Sequence, residues 1–116
     1  MKDAFDSFLE NRKYECVVAF TAKGKEILRR GSLEALPWKG LADALVGTSD
    51  AVSRLAKSVP LGTFQIFGQG KVQAAAFRPQ ADLLIIIFNN SEVGSVGSYR
   101  HAKAAMQELL LLFSNI

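Results

Sequence analysis

Cysteine and histidine are almost missing from this sequence, which has one residue of each kind among 116. The single cysteine, Cys16, excludes an internal disulfide, and with His101 it leaves too few thiolate and imidazole ligands for a zinc site. A Ser-His-Asp triad would have to use His101, and no nucleophile-elbow pattern precedes it. We therefore predict no catalytic residue, no metal site and no cofactor, so the chain is not expected to be an enzyme. Cys16 is predicted to be a buried core residue and His101 an exposed residue of the last helix.

A long hydrophobic run and a strong excess of one charge are also missing. No apolar segment approaches the length of a transmembrane helix, and the first residues are acidic where a signal peptide has a basic start. The net charge is +3, and Lys and Arg are scattered instead of clustered as in nucleic-acid binders. With 49% hydrophobic and 22% charged residues, the composition is that of one globular domain, residues 1–116. We expect a cytoplasmic protein with no membrane insertion and no nucleic-acid partner.

The segment Leu83–Phe88 is the stretch around which the rest of the chain is organised. Its sequence is Leu-Leu-Ile-Ile-Ile-Phe, without the alternation of apolar and polar residues that a strand with one wet face shows. We therefore predict a central strand that is covered on both faces. Such a sheet needs a layer of helices, or a partner chain, above and below it.

Turn residues separate eight periodic segments along the chain. Helical spacing of apolar residues and runs of β-forming residues give the order α-β-β-α-β-β-β-α. The predicted elements are helix Asp3–Glu10, strands Tyr14–Phe20 and Lys25–Arg30, helix Pro37–Val59, strands Thr63–Phe67, Lys71–Arg78 and Leu83–Phe88, and helix Ser98–Ser114. Asp3 is predicted to cap the first helix, and Gly24 to take a positive φ in the first turn. The predicted core stripe of the last helix is Tyr99, Ala102, Met106, Leu109 and Phe113, and the run Leu109–Phe113 is predicted to be buried or covered.

The predicted helix Pro37–Val59 has a narrow apolar line with small residues on both flanks, which would let another helix or a sheet come very close. The line consists of Leu41, Leu45, Thr48, Val52, Leu55 and Val59. The strand that follows, Thr63–Phe67, is predicted to be an edge, and an exposed edge beside such a helix suits pairing with a second chain. The charges of Lys25–Arg30 instead suit an edge that discourages pairing.

Three further features allow a functional and a structural interpretation. The segment Gly94-Ser95-Val96-Gly97 joins the central strand to the last helix, where backbone N–H groups can hold an anion, but a plain loop and helix cap is favoured. Phe64, Phe67 and Phe77 could stack on bases, yet the motif of RNA-binding sheets is absent, which favours the inner face of a sheet. Trp38 fits the rim of the core and a partner contact equally well.

The order of elements and several segments resemble the Roadblock family, the dynein light-chain domain that also occurs in bacterial regulators of Ras-like GTPases. The match is strongest over Leu83–Phe113, with an all-apolar strand, Phe88-Asn89-Asn90, Val96-Gly97 and a basic start to an amphipathic helix. The resemblance implies an α+β fold of the profilin-like type, a three-layer α/β/α sandwich with a five-stranded antiparallel sheet. It also implies that the first and last helices lie on one face and the second helix on the other.

Members of the Roadblock family usually dimerise through the second helix and the edge strand after it. Carried over to this chain, the resemblance implies an interface made by Trp38, Ala42, Val46, Ser49, Ser53, Ala56, Phe64 and Ile66. We expect a non-enzymatic homodimeric adaptor that binds a small Ras-like GTPase and modulates its nucleotide cycle or localisation. The alternatives are a structural scaffold subunit that pairs with another Roadblock-like chain, and a small-ligand or anion sensor that uses Gly94, Ser95 and Gly97.

Overall fold

The computed structural model describes residues 3–36, 39–69, 71–90 and 95–114, with side chains at all of these positions except 95–98. The strands are β1 (Cys16–Phe20), β2 (Glu26–Gly31), β3 (Phe64–Gln69), β4 (Val72–Gln80) and β5 (Leu83–Asn90). The helices are α1 (Ala4–Arg12), α2 (Gly40–Val46), α3 (Ser49–Ser58) and α4 (Ser95–Ser114), with a short 3₁₀ turn at Leu33–Ala35. The predicted order is confirmed except that two helices, α2 and α3, occupy the place of the second helix.

The five strands form one antiparallel sheet in the order β2-β1-β5-β4-β3. The apolar run therefore lies in the central strand β5, as predicted, and residues 84–88 are buried. In register, Ile86 of β5 lies between Val18 of β1 and Ala76 of β4. Strands β2 and β3 are the two edges of the sheet.

Each face of the sheet carries its own hydrophobic core, because successive side chains of a strand point to opposite sides. Leu84, Ile86 and Phe88 pack in the core with α2 and α3, on what we call the α2/α3 face. Ile85 and Ile87 pack with α1 and α4, on the α1/α4 face. The three-layer α/β/α sandwich is confirmed, with the first and last helices on one face and the helices between them on the other.

Local contacts at two element ends agree with the sequence. The Asp3 carboxylate caps α1: its Oδ1 accepts a hydrogen bond from the backbone N–H of Asp6 at 2.8 Å, and its Oδ2 accepts one from Arg30 at 2.9 Å. The bond from Asp6, followed by that from Arg30, holds the pKa of Asp3 below its usual value. Gly24, in the turn between β1 and β2, has a φ of +93°, which glycine adopts without a steric penalty.

The predicted helix Pro37–Val59 is wrong in one respect, since it breaks between Gly47 and Thr48. Thr48 has an extended backbone and is the N-cap of α3, where its Oγ1 accepts a hydrogen bond from the N–H of Ala51 at 3.1 Å. Threonine is a preferred N-cap, so a break at this point satisfies a backbone donor. Thr48 is consequently exposed and not part of the apolar line. Pro37 lies outside the described residues.

Replacing Thr48 with alanine is expected to lower the free energy of unfolding by about 1 kcal/mol, because the first turn of α3 loses its hydroxyl cap. The measurement is urea denaturation followed by circular dichroism. A Thr48→Ser variant keeps the hydroxyl and should remain close to the parent. Equal stability of the alanine and parent chains would mean that the Thr48–Ala51 hydrogen bond contributes nothing to α3.

The start of the last helix also differs from the prediction. α4 begins at Ser95 and not at Ser98, so Ser95 and Gly97 belong to the helix and not to a connecting loop. A glycine costs only about 1 kcal/mol inside a helix, which the contacts made by the rest of a helix of 20 residues easily offset. Gly94 lies outside the described residues. Anion binding by Gly94, Ser95 and Gly97 remains a prediction.

Candidate functional site

The described side chains are not arranged for metal binding or for cysteine chemistry. Within residues 3–36, 39–69, 71–90 and 95–114, no group of three His, Cys, Asp or Glu side chains could hold a metal ion. Cys16 is 0% exposed, as predicted, and burial raises the pKa of its thiol from 9.0 to about 11. A protonated thiol without access to solvent is a poor nucleophile. Among the described residues, the candidate functional sites are therefore surfaces that could bind a partner.

His101 is not the solvated residue that the sequence predicted. Its ring is half-buried between α1 and α4, and Nε2 donates a hydrogen bond to the backbone oxygen of Arg12, with a separation of 2.9 Å. The centroids of the His101 and Tyr14 rings are 5.1 Å apart. The prediction failed because the end of α1 lies against this turn of α4, and the periodicity of α4 alone does not reveal that contact. His101 links the two helices.

Burial of Cys16 and Tyr14 is expected to make the folded protein less stable at alkaline pH. Burial raises the pKa of Cys16 from 9.0 to about 11 and that of Tyr14 from 10.0 to about 12. Above pH 9 the unfolded chain ionises its thiol while the folded chain does not, so unfolding is favoured as the pH rises. Stability should be constant just below pH 9 and fall between pH 9 and 12.

Urea denaturation at a series of pH values measures this dependence. A Cys16→Ala variant, which cannot form a thiolate, should lose stability only from about pH 10 upward, where Tyr14 begins to ionise in the unfolded chain. If the parent and the Cys16→Ala variant have identical pH profiles between 9 and 10, the thiol is not shielded from ionisation in the folded protein.

The outer edge of β2 disfavours pairing with another strand. Glu26 and Arg29 form an exposed ion pair at 2.7 Å, and Arg30 pairs with the cap residue of α1 at 2.9 Å. The register of β2 against β1 shifts at Ile27, which is the extra residue of a β-bulge. Charges and bulges both protect an edge from the addition of a further strand.

The outer edge of β3 has the opposite character. Its sequence, Phe-Gln-Ile-Phe-Gly-Gln, contains no charged residue. In the part of the chain that the structure describes, no strand lies beyond β3 in the sheet. Ile66 is 37% exposed, and a Cβ placed on Gly68 would meet no atom within 4 Å. An uncharged and accessible edge is a template for another strand, so β3 is the candidate site.

The predicted interface residues divide between the surface and the core. Those that are exposed or half-buried are Val46, Ser49, Ser53, Phe64 and Ile66. Ala42 and Ala56 are only 3% and 1% exposed, and both pack in the core of the α2/α3 face. Their assignment to an interface is corrected, because a small flank of α2 or α3 that packs against the sheet is not open to a partner. Trp38 lies outside the described residues.

Tyr99 is a surface residue beside β3 that the sequence analysis placed in the core. The helical periodicity of α4 groups it with buried residues, but its side chain is 52% exposed. Its ring lies near that of Phe64, with the centroids 5.1 Å apart and the planes tilted by 34°. Tyr99 is exposed because it lies over an edge strand and not over the middle of the sheet. Periodicity measures which side of a helix is apolar, and it does not show how far the sheet extends beneath that side.

The other end of α4 is also more open than predicted. Leu110 and Leu111 are 40% and 67% exposed, although the run Leu109–Phe113 was expected to be buried or covered. Leu110 lines an open groove of about 590 Å³ between α4, β2 and the turn from β4 to β5, together with Ile27 and other residues. The short helix α1 covers only one side of this end of α4, where the rings of Phe5 and Phe113 have centroids 5.2 Å apart.

The sheet order and the two helical layers define a Roadblock-like α+β fold, which is the fold of MglB gliding proteins. MglB from Myxococcus xanthus superimposes with a TM-score of 0.58 at 16% identity, covering 95% of this chain and 91% of that one. The gliding protein MglB from Thermus thermophilus gives 0.58 at 16% identity, over 96% and 86% of the two chains. A structure of MglB with a tetrameric arrangement gives 0.53 at 15% identity, over 86% and 77%.

These similarities are of structure and not of sequence. No model of a known protein family matches the chain, and no curated protein has a significantly similar sequence. At 16% identity the comparison shows the fold alone. Among the described helices, none combines the length and the apolar character that a membrane span requires.

Proposed function

We propose that this protein is a non-enzymatic regulatory adaptor of the cytoplasm that acts as a homodimer. The observation that carries the proposal is the contrast between the two edges of the sheet. β2 is charged and bulged, whereas β3 is uncharged, and no described strand pairs with its outer side. Pairing of β3 with β3 of a second copy would make one continuous sheet and satisfy the backbone groups that an edge leaves open.

The helices beside this edge would extend the contact. Ser49 is left out of this contact, because it lies against Gly24 in the turn between β1 and β2, at the opposite side of the sheet from β3. Val46 and Ser53 are half-buried on α2 and α3, and Trp38 precedes α2 in the sequence. Together with Phe64 and Ile66 they form the proposed interface. A two-fold dimer brings identical surfaces together, and small, uncharged side chains are compatible with their own copies.

We further propose that the homodimer binds a small Ras-like GTPase and modulates its nucleotide cycle or localisation. The Roadblock-like fold supports this partner, since bacterial regulators of Ras-like GTPases resemble this chain in the order of their elements. The adaptor would act by binding and reorienting loops of the GTPase, so that it need not supply a catalytic residue itself.

Two measurements test the proposal in order. Light scattering over a concentration series should give twice the mass of the 12.6 kDa chain at high concentration and the mass of a single chain after sufficient dilution. Ras-like GTPases from the same genome should then bind the dimer and change their rate of nucleotide hydrolysis or release. A monomer at every concentration contradicts the homodimer. A dimer that neither binds any such GTPase nor alters its nucleotide cycle contradicts the regulatory role.

A second candidate is a scaffold subunit that pairs with a different Roadblock-like chain. The β3 edge also supports this function, because backbone hydrogen bonds between strands carry no sequence preference. Purification from the native source distinguishes the two candidates. A fixed heterodimer supports the scaffold, whereas a homodimer obtained from the same cells supports the adaptor.

A further inference from the structure

An uncharged patch lies beside the β3 edge on the α1/α4 face. It consists of Phe64 and Ile66 of β3 and Tyr99 of α4, and we call it the Tyr99 patch. Phe64 and Ile66 are two positions apart on a strand and so point to the same side of the sheet. Phe64 is in contact with the core of the α1/α4 face, which identifies that side. The Tyr99 ring lies next to Phe64, with the centroids 5.1 Å apart.

The patch is open in the single chain. Ile66 is 37% exposed and Tyr99 52% exposed, although both are large side chains with apolar bodies. The interface proposed above contains α2 and α3, which lie on the opposite face of the sheet. A second chain that pairs with β3 would therefore meet the Tyr99 patch on the face of the sheet opposite α2 and α3.

A second copy of this chain is the occupant that the chemistry favours. The patch borders the unpaired backbone of β3 without a gap, since Ile66 belongs to both. Under two-fold symmetry the patch would lie near its own copy, and an uncharged surface is compatible with itself where a charged one is not. The charged residues that follow Tyr99 on α4, Arg100 and Lys103, are exposed and can remain in water at the rim.

We propose that the homodimer covers the Tyr99 patch, so that the contact extends over both faces of the joined sheet and removes Tyr99 from solvent. This inference rests on the proposed homodimer, and it assigns to the interface a residue of α4 that the edge strand and the helices α2 and α3 do not include. It also accounts for the half-exposed ring of Tyr99 beside an edge of the sheet, whereas the ring of Tyr14 is buried.

The natural chain offers a direct test, because it contains only two tyrosines. Tyr14 is 7% exposed and Tyr99 52%, so a reagent that nitrates accessible tyrosines, such as tetranitromethane, reports on Tyr99. The rate of nitration at Tyr99, measured by peptide mass spectrometry, should fall with rising protein concentration in proportion to the fraction of chains still monomeric. A rate that stays constant while light scattering shows dimer formation overturns the inference.

A substitution gives an independent test. A Tyr99→Glu variant should have a dissociation constant at least about tenfold higher than the parent, because each contact would have to desolvate a carboxylate. Tyr99→Phe should dimerise like the parent. Leu111→Glu is the matched control, since Leu111 is 67% exposed on the same helix but lies near its other end. Thermal unfolding of each variant shows whether it is folded, and the nitration test decides the question if Tyr99→Glu is not.

The outcomes separate this inference from the proposal on which it rests. If the parent dimerises but neither Tyr99→Glu nor nitration responds, Tyr99 is outside the interface and the homodimer stands. If the parent is a monomer at all concentrations, both proposals fail. Weaker association of Tyr99→Glu, unchanged association of Leu111→Glu and concentration-dependent protection of Tyr99 support the inference.

Discussion

An Ile66→Lys variant is expected to be monomeric at concentrations at which the parent chain is a dimer. Ile66 is in the middle of the uncharged edge and is 37% exposed. A lysine at this position keeps its charge hydrated and opposes the approach of a second strand. Because a two-fold dimer contains each substitution twice, two costs of about 1.4 kcal/mol would raise the dissociation constant on the order of 100-fold. Sedimentation equilibrium measures the constant.

The opposite edge of the sheet supplies the control for this experiment. Ile27 of β2 is 50% exposed and is also an isoleucine on an edge strand. An Ile27→Lys variant therefore makes the same chemical change at the edge that is already charged and bulged, and its dissociation constant should equal that of the parent. Equal weakening by both substitutions would point to a general effect of charge. No weakening by Ile66→Lys would exclude the β3 edge from the interface.

Replacing Phe88 with alanine is expected to lower the free energy of unfolding by about 3–5 kcal/mol, the usual range for a fully buried phenylalanine. Phe88 is 0% exposed in the central strand β5. Its register neighbours on the two adjoining strands are Cys16 and Ala74. Both are small, so the Phe88 ring fills space that these neighbours leave, and neither of them can fill the cavity after truncation.

Urea denaturation of the parent and the variant measures the effect. A Phe88→Leu variant keeps much of the apolar volume and should lose clearly less stability than Phe88→Ala. A dimer would add a concentration-dependent contribution to the apparent stability, so all chains are compared at one protein concentration. A loss below about 1 kcal/mol for Phe88→Ala would contradict a tightly packed core on the α2/α3 face.

Much of the fold follows from chemistry that acts within a few residues. The apolar run Leu83–Phe88 can be stable only where both of its faces are dry, which predicts its place in the centre of the sheet. The side chain of Asp3 and the missing side chain of Gly24 determined a helix start and a turn in the same local way. The charges of β2 likewise indicated an edge from the sequence alone.

The candidate site was only partly predictable. Phe64 and Ile66 were assigned to an interface from the resemblance to the Roadblock family, and the structure places both on an open edge strand. Ala42 and Ala56 were assigned to the same interface but lie in the core, and Tyr99 was assigned to the core but lies at the surface. A helical pattern distinguishes an apolar side from a polar side, and it does not distinguish the sheet from a partner as the cover of that side.

The sequence by itself determined the class of fold, the central strand, most of the elements and the near absence of reactive side chains. The tertiary structure alone decided how far the apolar side of each helix is covered. Whether Tyr99 or Leu111 is exposed depends on how far the sheet and α1 reach beneath and beside α4, and those distances are set by contacts between segments far apart in the chain. The break at Thr48 is an intermediate case. The preference of threonine for capping a helix is local, but only the structure shows that α2 and α3 are two helices and that Thr48 begins the second.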